Sequence, residues 1–316
     1  MVELFLDSGA FSAMTKGVKI DIDKYIEFIK EWQPQGIDVY ACLDVIGDPI
    51  KTQENQIYME SKGLKPLITF HNKEDYKWLE KYVNEYEYIA IGGIAKTGIK
   101  KSQMLNHLDK CWSIICNKNG IPKCKVHGFG ITAIDMLFRY PWYSVDSTSW
   151  VLTGRFGSVF VPKYRDGQYI YNENSWKVSV SNQSPDQKTD GQHFTNFSPM
   201  EQEVITQYFD LKGFKIGKSE YRSESKKTYK LKNGERWLNS DSAACRELIE
   251  EMDVYVPPAN LATAEIIETV IESGLSNDYK QRDELNIIYF LDLEREFRQW
   301  PWPFKNTRNQ GFGFNK

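Results

Sequence analysis

Two aspartates stand in the same sequence context, in which a short apolar run ends at the aspartate and small residues follow. They are Asp7, within residues 6–9, and Asp146, within residues 143–147. A buried strand with this pattern sets a carboxylate at the rim of a sheet, where parallel α/β folds place their chemistry. Two such carboxylates could act as nucleophile and proton shuttle. Taken singly, each aspartate is more typical of a helix N-cap at a strand-to-helix turn.

The first 146 residues alternate between strand and helix patterns, which would bring such strand ends together. The sequence predicts strands at residues 2–7, 38–45, 66–71, 88–93, 125–130 and 143–146. It predicts one helix that begins at Asp21 or Asp23 and ends at Trp32, and others at 50–61, 73–82, 102–116 and 133–140. Six βα units favour the α/β class, and a (β/α)₈ TIM barrel over an open sheet. The pattern does not place barrel strands seven and eight.

After the sixth strand the pattern changes to short strands and turns, which predicts an antiparallel β insertion. The predicted strands are 157–163, 168–171 and 176–181, with turns at 165–167 and 172–174. A loop is predicted at 182–192, helices at 199–210, 246–252, 261–273 and 285–300, and an extended tail at 300–304. The sequence thus divides into a core with the β insertion, 1–198, and a C-terminal helical and basic region, 199–316, that completes the barrel.

The window 212–236 is the most basic part of the chain, with nine Lys or Arg residues against three Glu. Three aromatic residues, Phe214, Tyr221 and Tyr229, are interleaved with these charges. Such a window, predicted as a hairpin, suits a surface that contacts phosphates. A hairpin whose charged face is simply exposed to solvent explains this composition equally well.

Composition narrows the class of protein. The formal net charge of -3 gives no global electrostatic signature, so an anionic partner must be held by a local patch. The chain has no apolar run of transmembrane length, and its first residues lead directly into a strand, which predicts a cytoplasmic protein with no membrane partner. The five cysteines are odd in number and show no C-x-x-C spacing, so we expect neither a disulfide framework nor a zinc knuckle.

Several motifs resemble those of the tRNA-guanine transglycosylases. Leu-Asp-Ser-Gly-Ala-Phe at 6–11 is similar to their aspartate-serine-glycine segment, and the Gly-Gly strand at 88–94 to their base-binding strand. His-Gly-Phe-Gly at 127–130 and the strand at 143–147 resemble their glycine-rich and nucleophile strands, and 286–297 resembles a late helix. The order and spacing agree over roughly residues 1–180 and that helix. The family's zinc site of three cysteines and a histidine is missing here, which makes the chain most similar to zinc-free 7-deazaguanine DNA transglycosylases, many of them encoded by phages.

The resemblance implies a role for three carboxylates. Asp146 would be the nucleophile that attacks C1′ of the target nucleotide, and Asp7 would shuttle protons. Asp44, at the end of the second strand, matches the position that reads the exocyclic amine of the base, and an acceptor-only carboxylate suits that amine. Other residues implied to line the base site are Ser8, Gly9, Phe11, His71, Gly92, Gly93, Ile94, Gly128 and Gly130.

Alternatives remain open for several of these residues. The Gly-Gly pair at 92–93 could simply turn the chain after a strand. His71 could be a histidine at the rim of the sheet whose hydrogen bonds are made within the protein. Phe11 could belong to the core, and His127 is expected to point into the barrel wall. Arg155, Lys163 and Arg165, together with Lys226 and Lys227 in the basic window, are candidates for phosphate contact, or are ordinary surface charges.

The resemblance therefore implies a pentosyltransferase that needs no cofactor or metal. It would exchange guanine in DNA for a free 7-deazaguanine base such as preQ0, after the target nucleotide has left its helix. A zinc-free transglycosylase that acts on tRNA is one alternative. A non-catalytic nucleic-acid-binding subunit and a barrel enzyme with a small-molecule substrate are others. The family often forms homodimers, and a phage-encoded member would act in the host cytoplasm.

Overall fold

The computed structural model describes residues 4–94, 100–131, 133–184, 193–239, 242 and 265–306. The chain divides into two compact units: one comprises residues 1–147 and 298–316, and the other residues 148–297. The division at residue 198 that we drew from the sequence rested on motifs rather than on packing, and it stays a prediction. We describe each unit by itself.

The strands of the first unit are all parallel and pair in the order in which they occur along the chain. They are β1 (Leu4–Leu6), β2 (Ile37–Tyr40), β3 (Ile68–His71), β4 (Tyr88–Gly92), β5 (Lys125–Gly128) and β6 (Ser144–Val145). β1 pairs with β2, and β3 to β6 form a four-stranded sheet. An isolated parallel bridge between Ala41 and Leu67 links the two sheets. The carboxyl ends of all six strands therefore point to the same side.

Three of the six connecting helices described in this unit begin at an aspartate whose side chain caps them. The six are α1 (Ala10–Lys16), α2 (Ile22–Trp32), α3 (Pro49–Ser61), α4 (Tyr76–Glu85), α5 (Lys101–Ile115) and α6 (Ile134–Arg139), with a short 3₁₀ turn at Gln33–Gln35. Asp21, one of the two predicted candidates, caps α2, and Asp48 caps α3. Asp75 caps α4, which moves this helix three residues beyond its predicted start. Helix α1 was not predicted, because it buries none of its residues and so shows no apolar period.

Apolar side chains between the helices and strands form the core of this unit. Ile29, Tyr40 and Met59 are buried together in one cluster. Each such side chain contributes about 1.5–3 kcal/mol relative to an exposed position. The C-terminal tail packs on the same unit: the indole N–H of Trp300 donates to the carbonyl of Pro141 at 3.1 Å, and Phe304 lies against the ring of Tyr140.

The second unit contains the predicted antiparallel insertion. After α7 (Ser149–Arg155), β7 (Ser158–Val161) pairs with β10 (Trp176–Ser179), and β8 (Lys163–Arg165) pairs with β9 (Gln168–Ile170). Asp166 and Gly167 join β8 to β9, and their φ angles of 51° and 80° are those of a two-residue hairpin turn. The predicted turn at 165–167 is thus confirmed.

The rest of this unit corrects two predictions. A 3₁₀ turn (Phe194–Asn196) and α8 (Pro199–Leu211) lead into β11 (Lys218–Ser223), β12 (Glu235–Trp237) and β13 (Ile266–Glu272), and α9 (Tyr279–Arg295) follows. The basic window is not a hairpin, because β11 and β12 both pair with β13, which lies between them. The predicted helix at 261–273 is wrong over β13, where β-branched residues favour a strand.

The parts of the chain outside the described residues include two further predictions. The predicted helix at 246–252 lies entirely outside them, as does most of the predicted loop at 182–192. The predicted helix at 285–300 is α9, which begins earlier and ends at Arg295.

The mixed α/β class is confirmed, but the predicted (β/α)₈ barrel is not. Among the described residues, the strands form sheets of two, three and four members, and the seventh and eighth parallel strands of a barrel are not identified. None of the described helices combines the length and apolar character that crossing a bilayer requires.

Candidate active site at the carboxyl ends of the parallel strands

Three strand ends bring Asp7, Asp44 and Asp146 into one site. Asp7 directly follows β1, Asp44 follows the bridge at the end of β2, and Asp146 directly follows β6. Burial raises the pKa of Asp7, the backbone N–H of Gly9 opposes this, and the negative charges of Asp146 and Asp44 raise it further. Asp7 keeps access to solvent at the sheet edge. A carboxyl group with a raised pKa is suited to both accept and release a proton.

Asp146 is held by the loop that follows the neighbouring strand, β5. Its Oδ1 accepts the backbone N–H of Gly130 at 2.7 Å, and its own N–H donates to the carbonyl of Gly128 at 3.3 Å. The Asp146 side chain is 43% exposed. Its Oδ2 has no hydrogen bond to any described residue. The carboxylate is therefore fixed at one oxygen and open to a ligand at the other.

Asp44 is enclosed by two of the other candidate residues. Its Oδ1 accepts the hydroxyl of Ser8 at 3.0 Å, and its Oδ2 lies 2.7 Å from Nε2 of His71. The side chains of His71 and Asp44 are 7% and 9% exposed, respectively. Nδ1 of His71 is buried without a hydrogen-bond partner among the described residues. His71 thus supports Asp44 rather than presenting Nε2 to a ligand.

The Gly-Gly pair after β4 has a structural role in this arrangement. A Cβ at Gly92 would lie 2.9 Å from Cε1 and Nδ1 of His71, so only glycine allows the imidazole to lie against the β4 backbone. Gly93 has a φ of +73°, and a Cβ there would lie 3.2 Å from the backbone nitrogen of Asn72. Both glycines are therefore explained by the packing of the end of β3 against β4. Their contact with a base stays a prediction.

The sequence alone did not reveal the position of His127. Its ring stacks on Phe5 with centroids 4.3 Å apart and meets the edge of Phe129 at 4.6 Å. Nδ1 lies 2.6 Å from the Ser144 hydroxyl, which lies 2.5 Å from the Tyr88 hydroxyl. Nε2 faces Oδ1 of Asp146 at 3.7 Å. The prediction that His127 points into the barrel wall missed this contact with the candidate nucleophile.

One pattern in the sequence could have revealed this contact. Asp146 directly follows β6 and is two residues from Ser144, so the two side chains are expected on the same face of the chain. In the parallel pairing of β5 with β6, His127 stands opposite Ser144. A histidine at this register position of β5 is therefore on the face that leads to Asp146.

The remaining predicted base-site residues have different surroundings. Phe11 is 60% exposed on α1, so the alternative that it belongs to the core is wrong. Ile94 is buried after β4, and Gly9 has a φ of +72° at the start of α1. A Cβ at Gly128 would lie 2.9 Å from Trp142, which accounts for that glycine by packing. The structure thus joins Ser8, Asp44 and His71 directly, and it leaves Phe11 open to solvent.

Two of the predicted nucleic-acid contacts belong to the β8–β9 hairpin of the second unit, and a third ends α7. The guanidinium of Arg165 forms two bonds to the carboxylate of Glu173, at 2.9 and 2.8 Å. The ammonium of Lys163 lies 4.2 Å from the ring of Trp176, and its pKa is lowered by burial. Arg155 is exposed in the last turn of α7. Their contact with nucleic acid stays a prediction.

In the basic window, the arginines are paired and two predicted lysines are exposed. Arg222 forms an ion pair with Glu235 at 2.6 Å, and Arg236 with the buried Glu268. Lys226 and Lys227 lie in the turn after β11 and are exposed. The arginines thus stabilise the β11–β13–β12 sheet, while the two lysines are accessible to a partner.

Comparison with known proteins adds no relative: no family model matches the chain, and no curated protein or solved structure does. Among the described residues, no group of His, Cys, Asp and Glu side chains is arranged to hold a metal ion. The functional argument therefore rests on the geometry of the site.

Proposed function

We propose that this protein is a transglycosylase that replaces guanine in a nucleic acid, preferably DNA, by a 7-deazaguanine base such as preQ0. The observation that carries this proposal is the pairing of two carboxylates with different surroundings. Asp146 is fixed at Oδ1 by Gly130 and has no hydrogen bond to a described residue at Oδ2, whereas the pKa of Asp7 is raised by partial desolvation and by the charges of Asp146 and Asp44. Carboxylates in unlike surroundings can act as nucleophile and proton shuttle in one reaction.

The reaction would proceed by two displacements at C1′. An oxygen of Asp146 forms a bond to C1′, the C1′–N9 bond breaks, and the departing guanine takes the proton of Asp7. The incoming base then returns its N9 proton to Asp7 and attacks C1′, and the bond to Asp146 breaks with its electron pair returning to the carboxylate. The two steps balance and retain the configuration at C1′. Oδ2, which is open to a ligand, suits the attacking atom.

Asp44 would read the exocyclic amine of the base. Each of its oxygens accepts one hydrogen bond inside the protein, from Ser8 or from His71. Because a carboxylate oxygen has two lone pairs, each retains one for an amine of the substrate. The support of His71 fixes the direction in which Asp44 presents that lone pair.

We also propose that the six parallel strands belong to a barrel. The rings of Phe5 on β1 and His127 on β5 stack with centroids 4.3 Å apart. In a flat sheet, four strand spacings would separate these strands by about 19 Å. A contact across that span requires a strongly curved sheet, and curvature of this kind together with a sequential parallel order is typical of (β/α)₈ folds.

The experiment that tests the proposal is exchange of labelled preQ0 into matched duplex DNA and bulk tRNA by the wild type and by Asp146→Asn. Label in DNA that disappears in the variant is the expected result. Label in tRNA alone would keep the chemistry and change the substrate. Equal incorporation by the Asp146→Asn variant would overturn the mechanism. The absence of label from both substrates, with salt-dependent binding retained, would favour a binding subunit.

A further inference from the structure

The side chain of His127 is buried beside the candidate nucleophile and has one ring nitrogen without a close partner. It is 2% exposed, and among the described residues Nε2 has no hydrogen bond. Nε2 faces Oδ1 of Asp146 at 3.7 Å. This distance exceeds that of a hydrogen bond, so the contact is electrostatic in the absence of substrate. A buried polar atom in this position requires an explanation.

The opposite ring nitrogen belongs to a chain of hydroxyl groups. Nδ1 lies 2.6 Å from the hydroxyl of Ser144, and this hydroxyl lies 2.5 Å from that of Tyr88. The carboxylate of Asp146, which faces Nε2, determines which group donates in each of these hydrogen bonds. A carboxylate only accepts hydrogen bonds, so an unprotonated Nε2 would set two acceptors against each other. The favourable arrangement has the proton on Nε2, Ser144 donating to Nδ1, and Tyr88 donating to Ser144.

We propose that Tyr88, Ser144 and His127 form a relay that holds the Nε2–H of His127 toward Asp146, and that His127 is thereby a positioning residue for the second displacement. This inference rests on the proposed function. It assigns no proton transfer to His127. Its N–H stabilises the negative charge of the Asp146 carboxylate, and this is the charge that disappears in the first displacement and returns in the second.

The two steps should therefore respond differently when this N–H is removed. In the first step Asp146 loses its charge as the bond to C1′ forms, so the contact with His127 weakens and its removal does not slow the step. In the second step the C1′–O bond breaks and the charge develops again, so a fixed N–H lowers the barrier. Loss of the N–H should slow the second step roughly 10²-fold, by analogy with the removal of one oxyanion donor.

The first test compares covalent protein–DNA adduct and product for the wild type, His127→Leu and His127→Gln, in single-turnover reactions quenched under denaturing conditions. We expect His127→Leu to accumulate adduct while product formation falls. His127→Gln should restore part of the second step, because its amide N–H can replace Nε2–H. An equal loss in both steps, or no loss in either, would overturn the inference.

Two further variants keep the inference testable if replacing the buried His127 causes the protein to misfold. Ser144→Ala and Tyr88→Phe remove single hydroxyl groups of the relay, and both should accumulate adduct less strongly than His127→Leu. The matched control is Tyr82→Phe, which removes a buried hydroxyl that has no partner among the described residues of the same unit. This control should leave the ratio of adduct to product unchanged. An adduct in the control equal to that in the relay variants would contradict the relay.

A spectroscopic readout separates failure of the relay from failure of the proposed function. The chain has four histidines, so long-range ¹⁵N–¹H spectra of imidazole-labelled protein can resolve them, with His127→Gln providing the assignment. We expect the Nε2–H tautomer at His127 and a shift toward Nδ1–H in Ser144→Ala. A wild type with neither product nor adduct would refute the function, and the spectrum would still decide the relay. An Nδ1–H tautomer in the wild type would refute the relay itself.

Discussion

Nε2 of His71 lies 2.7 Å from Oδ2 of Asp44, and both side chains are more than nine-tenths buried. The hydroxyl of Ser8 binds the other oxygen of Asp44 at 3.0 Å. Residues from the ends of three parallel strands are thus joined at one carboxylate. This relationship links the stability of the sheet edge to the orientation of Asp44 in the proposed base site.

Replacing Asp44 by alanine should destabilise the protein strongly. The change leaves the imidazole of His71 and the hydroxyl of Ser8 buried without their acceptor, and each buried group that loses its partner costs about 1–3 kcal/mol. Urea unfolding measures the change. The matched control is Asp75→Ala, which removes an exposed cap of α4 and should destabilise the protein much less. Equal losses in the two variants would contradict the importance of the buried pair.

Replacing Asp7 by asparagine should stabilise the protein at neutral pH and impair exchange about 10²–10⁴-fold. The pKa of Asp7 is raised above 3.8 in the folded protein, chiefly by burial. Its contribution to stability is therefore fully present below pH 3.8 and is lost as pH rises through the folded pKa. The advantage of Asp7→Asn in unfolding experiments should thus shrink on acidification.

The control for this pH dependence is a carboxylate whose effect on stability should change with pH in the opposite direction. The N–H of Lys51 lowers the pKa of Asp48, so its contribution to stability is present at neutral pH and is lost as pH falls through the folded pKa. Asp48→Asn should therefore destabilise the protein at neutral pH, and the effect should fade in acid. The same sign for Asp7→Asn and Asp48→Asn would contradict the environment described for Asp7.

Reversing the charges of Lys226 and Lys227 should weaken binding to DNA. Both lysines are exposed in the turn after β11. Each phosphate contact that is lost should reduce the slope of log K against log salt by about 0.9. Fluorescence anisotropy at several salt concentrations gives this slope. The same reversals at Lys77 and Lys81 in α4 should leave it unchanged. If the two double variants behave alike, the basic window is a solvated surface.

Replacing Asn286 by leucine should destabilise the second unit. The Asn286 side chain accepts the N–H of Phe160 at 2.9 Å and donates to the carbonyls of Trp150 and Ser158 at 3.1 and 3.4 Å. Each buried group left without a partner costs about 1–3 kcal/mol. Replacement of the exposed neighbour Ile287 by alanine is the control and should change the free energy of unfolding by about 0.5 kcal/mol or less. If Asn286→Leu unfolds with the same urea midpoint as the wild type, this role is contradicted.

Local patterns were sufficient to predict the parallel strands and their order. Each strand is a short apolar run, and this pattern predicted Asp7 and Asp146 at the rim of the sheet, whereas the place of Asp44 in the site was implied by the family resemblance. The observed helix boundaries differ from the predicted ones where a capping residue sets the start of the helix, as Asp75 does for α4. These features depend on residues close together in sequence.

Features that depend on distant residues were not predictable in this way. β13 separates β11 from β12, and its apolar residues fit a helix period as well as a strand until the pairing is known. The sequence likewise does not show that His71 turns toward Asp44 or that His127 faces Asp146, because these orientations depend on packing across strands. The residue types of the candidate site could be read from the sequence, and their hydrogen-bond partners could not.

The most direct test of the proposed function is to look for the glycosyl-enzyme itself. Wild-type protein is incubated with duplex DNA, quenched with acid and digested, and the peptides are analysed by mass spectrometry. We predict a nucleotide adduct on the peptide that contains Asp146, located at that aspartate by fragmentation and missing in Asp146→Asn. An adduct at another residue, or full base exchange by the Asp146→Asn variant, would contradict the assignment of Asp146 as the nucleophile.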